Sequence, residues 1–308
     1  MYKKFGKYLS YFKPFGSKQG FELLFYEKGK EHKRKIVITA GMDGDEFDGI
    51  WAAFKLAKII DEKKIPVNLI IVPVANPSGF LQKTSFAKDD KYPKYFFPGK
   101  SKGSYSERLI HFLSKEIIFD ANMWIDLHGG SSNEKLTPFL WGFETNNQEV
   151  NENFMRATSL LKDDFVVYQK GHKWEKVNNL EEKKISYIIS EAGQLGSESE
   201  ENQKIHISRV LSIVEAFCKK DTEAVKRSPV KINQYFVPKF TKWNPRVLAG
   251  DVVRLGQVLG NKNFFNLINS SIKTDMSGTV LWNKIEGRVT RNDSVCAIVE
   301  SVDSLGRD

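Results

Sequence analysis

Lys35-Ile-Val-Ile-Thr-Ala-Gly-Met-Asp-Gly-Asp-Glu46 is an apolar run of strand length that breaks at two glycines and closes on Asp43, Asp45 and Glu46. Gly41 and Gly44 permit a sharp strand-to-helix turn. Beyond it Ile50, Ala53, Phe54, Ala57 and Ile60 recur at three- and four-residue steps, the spacing of one helix face. A strand running straight into a sheet-facing helix is the opening unit of an α/β domain. Asp43 and Glu46 stand three apart, so both carboxylates can enter one cleft at the carboxyl edge of the sheet, with a divalent cation between them. The plainer reading makes Asp43, Asp45 and Glu46 helix N-terminal acids stabilised by the macrodipole.

The alternation continues outward from this unit. Strand-like runs at 22–26, 67–74, 123–127, 138–142, 165–169 and 187–190 interleave with helical periods at 46–63, 105–119, 151–161 and 201–219. The pattern predicts a largely covered sheet. Ser104 with Glu107 forms a capping box at the start of the second helix. After Lys220 the helical period stops, and from about Val237 short β-like runs separated by Gly, Asn and Asp take over. A boundary between Asp221 and Tyr235 divides the chain into 1–225, an α/β domain, and 226–308, a β-rich domain. The turn glycines of 249–260 and 276–280 resemble those of a barrel-sandwich fold of lipoyl type. The stretch 264–272 lacks the lysine that a carrier hairpin needs, so the small domain is read as structural, a lid or an oligomer contact.

Composition narrows the function classes. With 308 residues, 41% hydrophobic and 28% charged, the chain can bury a sizeable core, which excludes a mini-protein and wholesale disorder. The net charge of +9 comes from lysines spread along the chain, with only a mild cluster at 31–35 and no groove-reading or base-stacking motif. A solvated basic surface is expected, and no nucleic-acid partner. No stretch approaches the roughly 18 apolar residues of a membrane span, and charge interrupts the opening sixteen residues, so a soluble, unexported, cytoplasmic protein without a membrane partner is expected. Cys218 and Cys296 stand far apart with no C-x-x-C, which argues against a thiolate zinc site and fits a reducing compartment.

Two further segments carry chemistry. Ala121-Asn-Met-Trp-Ile-Asp-Leu-His-Gly-Gly130 is an apolar strand ending in Asp126, His128 and two glycines. An imidazole at a strand end can ligate a metal, with Asp126 as its partner. With Asp43 and Glu46 it would complete a three-ligand site that leaves a position open for water. Ile188-Ile-Ser-Glu-Ala-Gly193 places Glu191 at another strand end, where a carboxylate can serve as general base. His32, His111 and His206 read as structural, and His172 as a loop residue able to border a cleft. Serine-hydrolase, nucleotidase and dehydrogenase motifs are missing from the sequence.

These segments resemble the succinylglutamate desuccinylase/aspartoacylase family of the zinc carboxypeptidase-like superfamily. Gly41 to Glu46 matches its G-x-H-G-D/N-E, Asn76 to Phe80 its N-P-x-G-F, Phe97 to Gly99 its F-P-G, Asp126 to His128 its D-L-H and Glu191 to Gly193 its E-x-G, in that order. The resemblance spans roughly 35–301. It implies a mixed twisted sheet with helices on both faces, a barrel-sandwich C-terminal domain, and hydrolysis of an amide bond in a small-molecule or peptide substrate. One divalent metal ion, zinc by the family pattern, would sit on Asp43, Glu46 and His128, with Glu191 as catalytic base. Asn76, Lys83 and Lys94 are the expected substrate-binding residues, and a homo-oligomer is left open.

The departures fall at functional positions. Asp43 stands where the family has a histidine, giving a harder and more anionic ligand set that discriminates less between Zn²⁺, Mn²⁺ and Mg²⁺. Where D-L-N-R should precede F-P-G the chain reads Tyr92-Pro-Lys-Tyr95, and a second arginine position is Ser85. Bidentate recognition of a substrate carboxylate is missing from both, which makes acylated acidic amino acids poor candidates. The alternative to a hydrolase is a degenerate relative that binds a ligand or partner without turning it over.

Overall fold

The computed structural model describes residues 2–5, 9–12, 23–161, 165–171, 174–219, 223–238, 241–264, 268–289 and 293–301. Its first nine-stranded sheet is built from β1 (Tyr2–Phe5), β2 (Leu9–Phe12), β3 (Leu23–Lys28), β4 (Lys35–Ala40), β5 (Asn68–Val72), β6 (Met123–His128) and three later strands. Between these and the later strands lies the short β7 (Glu134–Leu136), which joins another sheet. The remaining three are β8 (Phe139–Phe143), β9 (Val166–Gln169) and β10 (Ser186–Glu191), and the spatial order is β1-β2-β3-β5-β4-β6-β10-β8-β9. The centre, β5-β4-β6-β10, is parallel, while β3 and β8 run antiparallel to their neighbours β5 and β10. Strands β4 and β6 are buried along their whole length, as expected of strands covered on both faces.

Helices cover both faces. α1 (Phe47–Asp61) buries Ile50, Ala53, Ala57 and Ile60 in one core with Phe154 of α4 (Gln148–Ala157) and Val210, Ile213 and Phe217 of α6 (Glu200–Cys218). On the other face, Leu109 and Leu113 of α3 (Tyr105–Leu113) share a core with Val177 and Leu180 of α5 (Glu175–Glu182). The short α2 (Pro77–Gln82) follows β5. The expected helix at 105–119 is α3 continued by a π-helical turn, Ser114–Ile118, and its capping box is present. α5 escapes a periodicity search because Val177 and Leu180 are its only buried residues.

The C-terminal part is antiparallel. β11 (Ile232–Val237), β12 (Thr241–Pro245), β13 (Val252–Val253), β14 (Val258–Phe264), β15 (Ile268–Lys273), β16 (Gly278–Lys284), β17 (Gly287–Arg288) and β18 (Asp293–Glu300) form two facing sheets, β11-β18-β16-β13 and β15-β14-β12-β17. β7 adds to the first of these by pairing with β16, Leu136 opposite Trp282. That pairing joins the C-terminal strands to the segment that follows β6, and Leu281, Ala297 and Val299 share a core with Phe139 and Trp141. No helix among the described residues is long and apolar enough to cross a membrane.

Candidate functional site

The parallel register brings the carboxyl ends of β4, β6 and β10 level. Thr39 pairs with Asp126 and Ala40 with Leu127, while Glu191 stands opposite His128. Residues 41–46 leave β4 at this edge. Their path is set by a backbone approach that only glycine allows: a Cβ on Gly44 would lie 2.1 Å from the carbonyl carbon of Gly79. Gly44 N–H also donates to Thr84 O at 3.1 Å, so the turn after β4 and the loop after α2 are locked together.

Glu46 occupies the N-cap of α1 but makes no capping bond with its side chain. Its carboxylate instead meets His128 Nδ1 at 2.8 Å and accepts from Gly129 N–H at 3.1 Å and Ser131 Oγ at 3.3 Å. Asp43 Oδ2 lies 3.4 Å from the same His128 nitrogen. Asp45 turns away, accepting from Ser85 Oγ and Ser132 N–H, and Asp48 accepts from Ser197 Oγ, Ser199 N–H and Asn202 at the start of α6. The four acids of this turn thus have separate destinations, and the macrodipole explains neither Asp43 nor Glu46.

One donor atom each from Asp43, Glu46 and His128 lies within 4.8 Å of the other two, and all three residues are buried. Asp43 Oδ1 is buried with no hydrogen-bond partner among the described residues. An orphaned carboxylate oxygen beside a second carboxylate and an imidazole nitrogen fits a divalent cation. Behind the imidazole, His128 Nε2 meets Asp126 Oδ2 at 3.1 Å, fixing the ring so that Nδ1 faces the two acids. Asp126 is held in turn by Thr39 Oγ1 and the Tyr187 hydroxyl, and Trp124 Nε1 donates to Thr39.

The electrostatics follow from crowding. Burial pushes the Glu46 carboxyl well above its usual range, and neighbouring Asp43 adds to the rise. Burial also opposes ionisation of Asp43, but the Lys94 ammonium and His128 outweigh it and hold that carboxyl well below the usual range. Burial disfavours the imidazolium of His128, yet Asp126 and Glu46 raise it well above an ordinary histidine. Three acids around one imidazole therefore make a place for positive charge.

Glu191 is half-buried at the end of β10, and its carboxylate opens on the cavity with no side-chain hydrogen bond among the described residues. Burial lifts it to about 7, His128 opposing and Glu134 adding to the rise. Gly193, two residues on, has φ +100°, and a Cβ there would lie 2.4 Å from Asp48 Oδ2. Buried Arg209 donates to Phe139 O and Glu191 O, both at 3.0 Å, pinning the β10 end from below. A cavity of about 520 Å³ lies over these groups, and Phe236, Trp282 and Ser294 of the small domain form part of its wall.

Of the residues expected to bind substrate, Lys94 lines this cavity and bonds to Asp43 Oδ2 at 2.7 Å. Asn76 and Lys83 do not line it. Asn76 is fully buried, its Oδ1 accepting from Gly79 N–H and Ser78 Oγ as the N-cap of α2. Lys83 is the exposed residue that ends α2 in a left-handed conformation. Both end α2, Asn76 through its side chain and Lys83 through its backbone N–H, which donates to Gly79 O and Phe80 O. His206, read as structural, is fully buried between Ser190 Oγ and Ala192 O. His172 lies outside the described residues. Sequence reasoning missed Lys176 and the aromatic wall of Trp141, Trp174 and Trp282. No motif marks them, because they come from three separate segments.

Residues 32–217 match the Succinylglutamate desuccinylase/Aspartoacylase catalytic domain. The chain belongs to this family. The family so described points to deacylation of amide bonds, and the matched region contains Asp43, Glu46, His128 and Glu191. A curated relative, the N-alpha-acetyl-L-2,4-diaminobutyric acid deacetylase of Halomonas elongata, is 20% identical over 289 residues, covering 88% of this chain and 83% of that protein. The fold is shared with a succinylglutamate desuccinylase/aspartoacylase structure from Rhodobacter sphaeroides, at TM-score 0.77 and 19% identity, covering 93% and 90% of the two chains. It is shared equally with the product-bound ectoine utilization protein EutE (DoeB) of Ruegeria pomeroyi, at TM-score 0.76 and 17% identity, covering 96% and 95%.

Proposed function

We propose that the protein is a metal-dependent hydrolase of amide bonds, a deacylase in which Asp43, Glu46 and His128 hold one divalent ion and Glu191 is the proton carrier. The observation that carries this reading is the convergence of the three buried donors on one another, with Asp43 Oδ1 left unpartnered, at a cavity that Glu46, His128 and Glu191 line. The ion, when bound, would polarise the scissile carbonyl and acidify an attacking water. Glu191 takes the water's proton on its carboxylate and returns it to the leaving nitrogen, a task suited to a carboxyl lifted toward neutrality. Asp126 keeps the imidazole turned by holding Nε2, and the cavity walls restrict water around the reacting groups. Two carboxylates and one imidazole suit Zn²⁺ or Mn²⁺, and a small acylated amine is the substrate class, as with the Halomonas deacetylase.

A second reading rests on the Lys94–Asp43 ion pair: an internal ammonium already neutralises one proposed ligand, as a non-catalytic binding protein would tolerate. Metal analysis of protein purified without chelator, with and without Zn²⁺ or Mn²⁺ supplementation, separates the two. The hydrolase reading expects one ion per chain and release of acetate from N-acetyl amino acids, Nα-acetyl-2,4-diaminobutyrate included. His128→Ala should abolish both. Metal retained at full stoichiometry in His128→Ala rejects the ligand assignment, and failure to bind any divalent ion favours the binder.

A further inference from the structure

The cations of the cavity are not equivalent. Lys94 is bonded to Asp43, and His128 is surrounded by Asp43, Glu46 and Asp126. Lys176 differs. Its half-buried ammonium lies 3.3 Å from the Tyr187 hydroxyl and about 5 Å from the ring centroids of Trp124 and Tyr187, at 5.3 and 5.2 Å. Among the described residues no carboxylate is in ion-pair contact with it, and burial lowers its proton affinity. The four acids on the same lining are placed otherwise: Glu46 meets His128 at 2.8 Å, Glu134 faces Lys284 at 3.7 Å, Glu175 is exposed, and Glu191 stands at the end of β10 as the proposed proton carrier. Asp126 acts on Lys176 at longer range, across the Tyr187 hydroxyl that both touch, so this ammonium lines the cavity with no acid in direct contact and can receive an anion.

Beside it the wall is aromatic. Trp141 and Trp174 meet edge-on at 4.9 Å, Trp141 and Trp282 lie 5.8 Å apart, and Phe236 of β11, 58% exposed, adds a further ring. Trp174 immediately precedes the helix that carries Lys176, so the ammonium and this wall are close neighbours. In an N-acyl amino acid the carboxylate and the side chain share one carbon, whereas the acyl group lies across the scissile bond. A cation next to an aromatic wall therefore reads the amino-acid half of the substrate. No second ammonium or guanidinium among the lining residues is left without a direct acid partner, since Lys94 is bonded to Asp43.

We infer that the substrate is an N-acylated amino acid with an aromatic or large apolar side chain, its single carboxylate held by Lys176 and its side chain lying on Trp141, Trp174, Trp282 and Phe236. This rests on the amide-hydrolase reading and adds the substrate class.

The test is equilibrium binding to the full chain, followed by quenching of the cavity tryptophans, with N-acetyl-L-phenylalanine, its C-terminal amide and N-acetyl-L-aspartate as probes. Glu191→Gln protein, with and without Zn²⁺, prevents turnover during the titration. The phenylalanine derivative should bind about tenfold or more tightly than either its amide or the aspartate derivative. Lys176→Met should remove the preference for the carboxylate over the amide. Phe236→Ala, an exposed position that leaves the core intact, should weaken N-acetyl-L-phenylalanine and leave N-acetyl-L-aspartate unchanged. Equal or tighter binding of the aspartate derivative, or an equal loss for acid and amide in Lys176→Met, overturns the assignment. The predicted binding pattern without hydrolysis by the unsubstituted enzyme would reject the catalytic reading and leave this one standing. Hydrolysis confined to acidic substrates would do the reverse.

Discussion

Lys94 Nζ lies 2.7 Å from Asp43 Oδ2, while the other oxygen of the same carboxylate is buried without a hydrogen-bond partner among the described residues. The oxygen that pairs with the internal cation is thus also the one that approaches His128 Nδ1, at 3.4 Å, in the proposed metal site. Any bound ion meets the repulsion of that ammonium across a single carboxylate.

Lys94→Met should therefore bind Zn²⁺ or Mn²⁺ more tightly, by about tenfold, because a like charge is removed from the ligand. The metal-free variant should lose about 3 kcal/mol, since a buried carboxylate is left unpaired. Isothermal titration with the metal and chemical denaturation of the metal-free chain measure the two effects. An unchanged gap in Tm between metal-free and metal-loaded variant would argue against Lys94 as a competitor.

Asp126→Asn keeps the shape behind His128 but removes the charge that orients Nε2. Metal affinity should fall by about 10- to 100-fold with the fold retained, which chelator competition reads directly. Affinity equal to the unsubstituted chain would show that the ring is held by packing alone.

Glu191→Gln replaces the carboxylate of the proposed carrier by an amide that takes up no proton near neutral pH, without altering the proposed ligands. Turnover should drop by about 10²- to 10⁴-fold while metal stoichiometry stays at the original value. Loss of metal together with activity would move Glu191 from proton carrier to ligand.

His206 makes stability depend on pH. Burial, reinforced by Arg209, lowers its pKa to about 3 in the folded chain, against about 6.5 when unfolded. The unfolded chain binds the proton first, so this contribution is fully present above about 6.5 and is lost progressively as pH falls toward 3. By pH 5 the loss is on the order of 2 kcal/mol. Urea denaturation between pH 7 and pH 5 should show a shallower decline in His206→Gln than in the unsubstituted protein.

Gly44→Ala should destabilise the chain by on the order of 3 kcal/mol, since the new Cβ meets the backbone of Gly79 at 2.1 Å and neither segment has a flexible side chain to yield. Denaturation midpoints and metal affinity should fall together, because the displaced turn carries Asp43 and Glu46. A variant of normal stability would mean that the turn relaxes freely.

The residues of the proposed site could be read in the sequence because each lies at or just after the end of an apolar strand, and parallel pairing brings such ends to one edge. Asp43, Glu46, His128 and Glu191 are legible for that reason. Asn76 and Lys83 belong to equally recognisable positions, but their polar atoms or backbone serve the ends of α2, and nothing in residue type separates a helix cap from a substrate contact. His206 sits on a helix whose buried face includes Gln203 and Arg209, so its polarity concealed its burial.

The sequence by itself determined which strands are covered, where the chain turns at glycine, and which acids and imidazole stand at the turns, because these depend on local periodicity and backbone sterics. Tertiary structure alone decided that Lys94 reaches Asp43, that Lys176 meets the Tyr187 hydroxyl and no acid directly, and that Trp282 and Phe236 of the C-terminal strands wall the cavity beside Trp141 and Trp174. Those relations join side chains from distant segments through packing and charge, and no spacing along the chain encodes the distance between them.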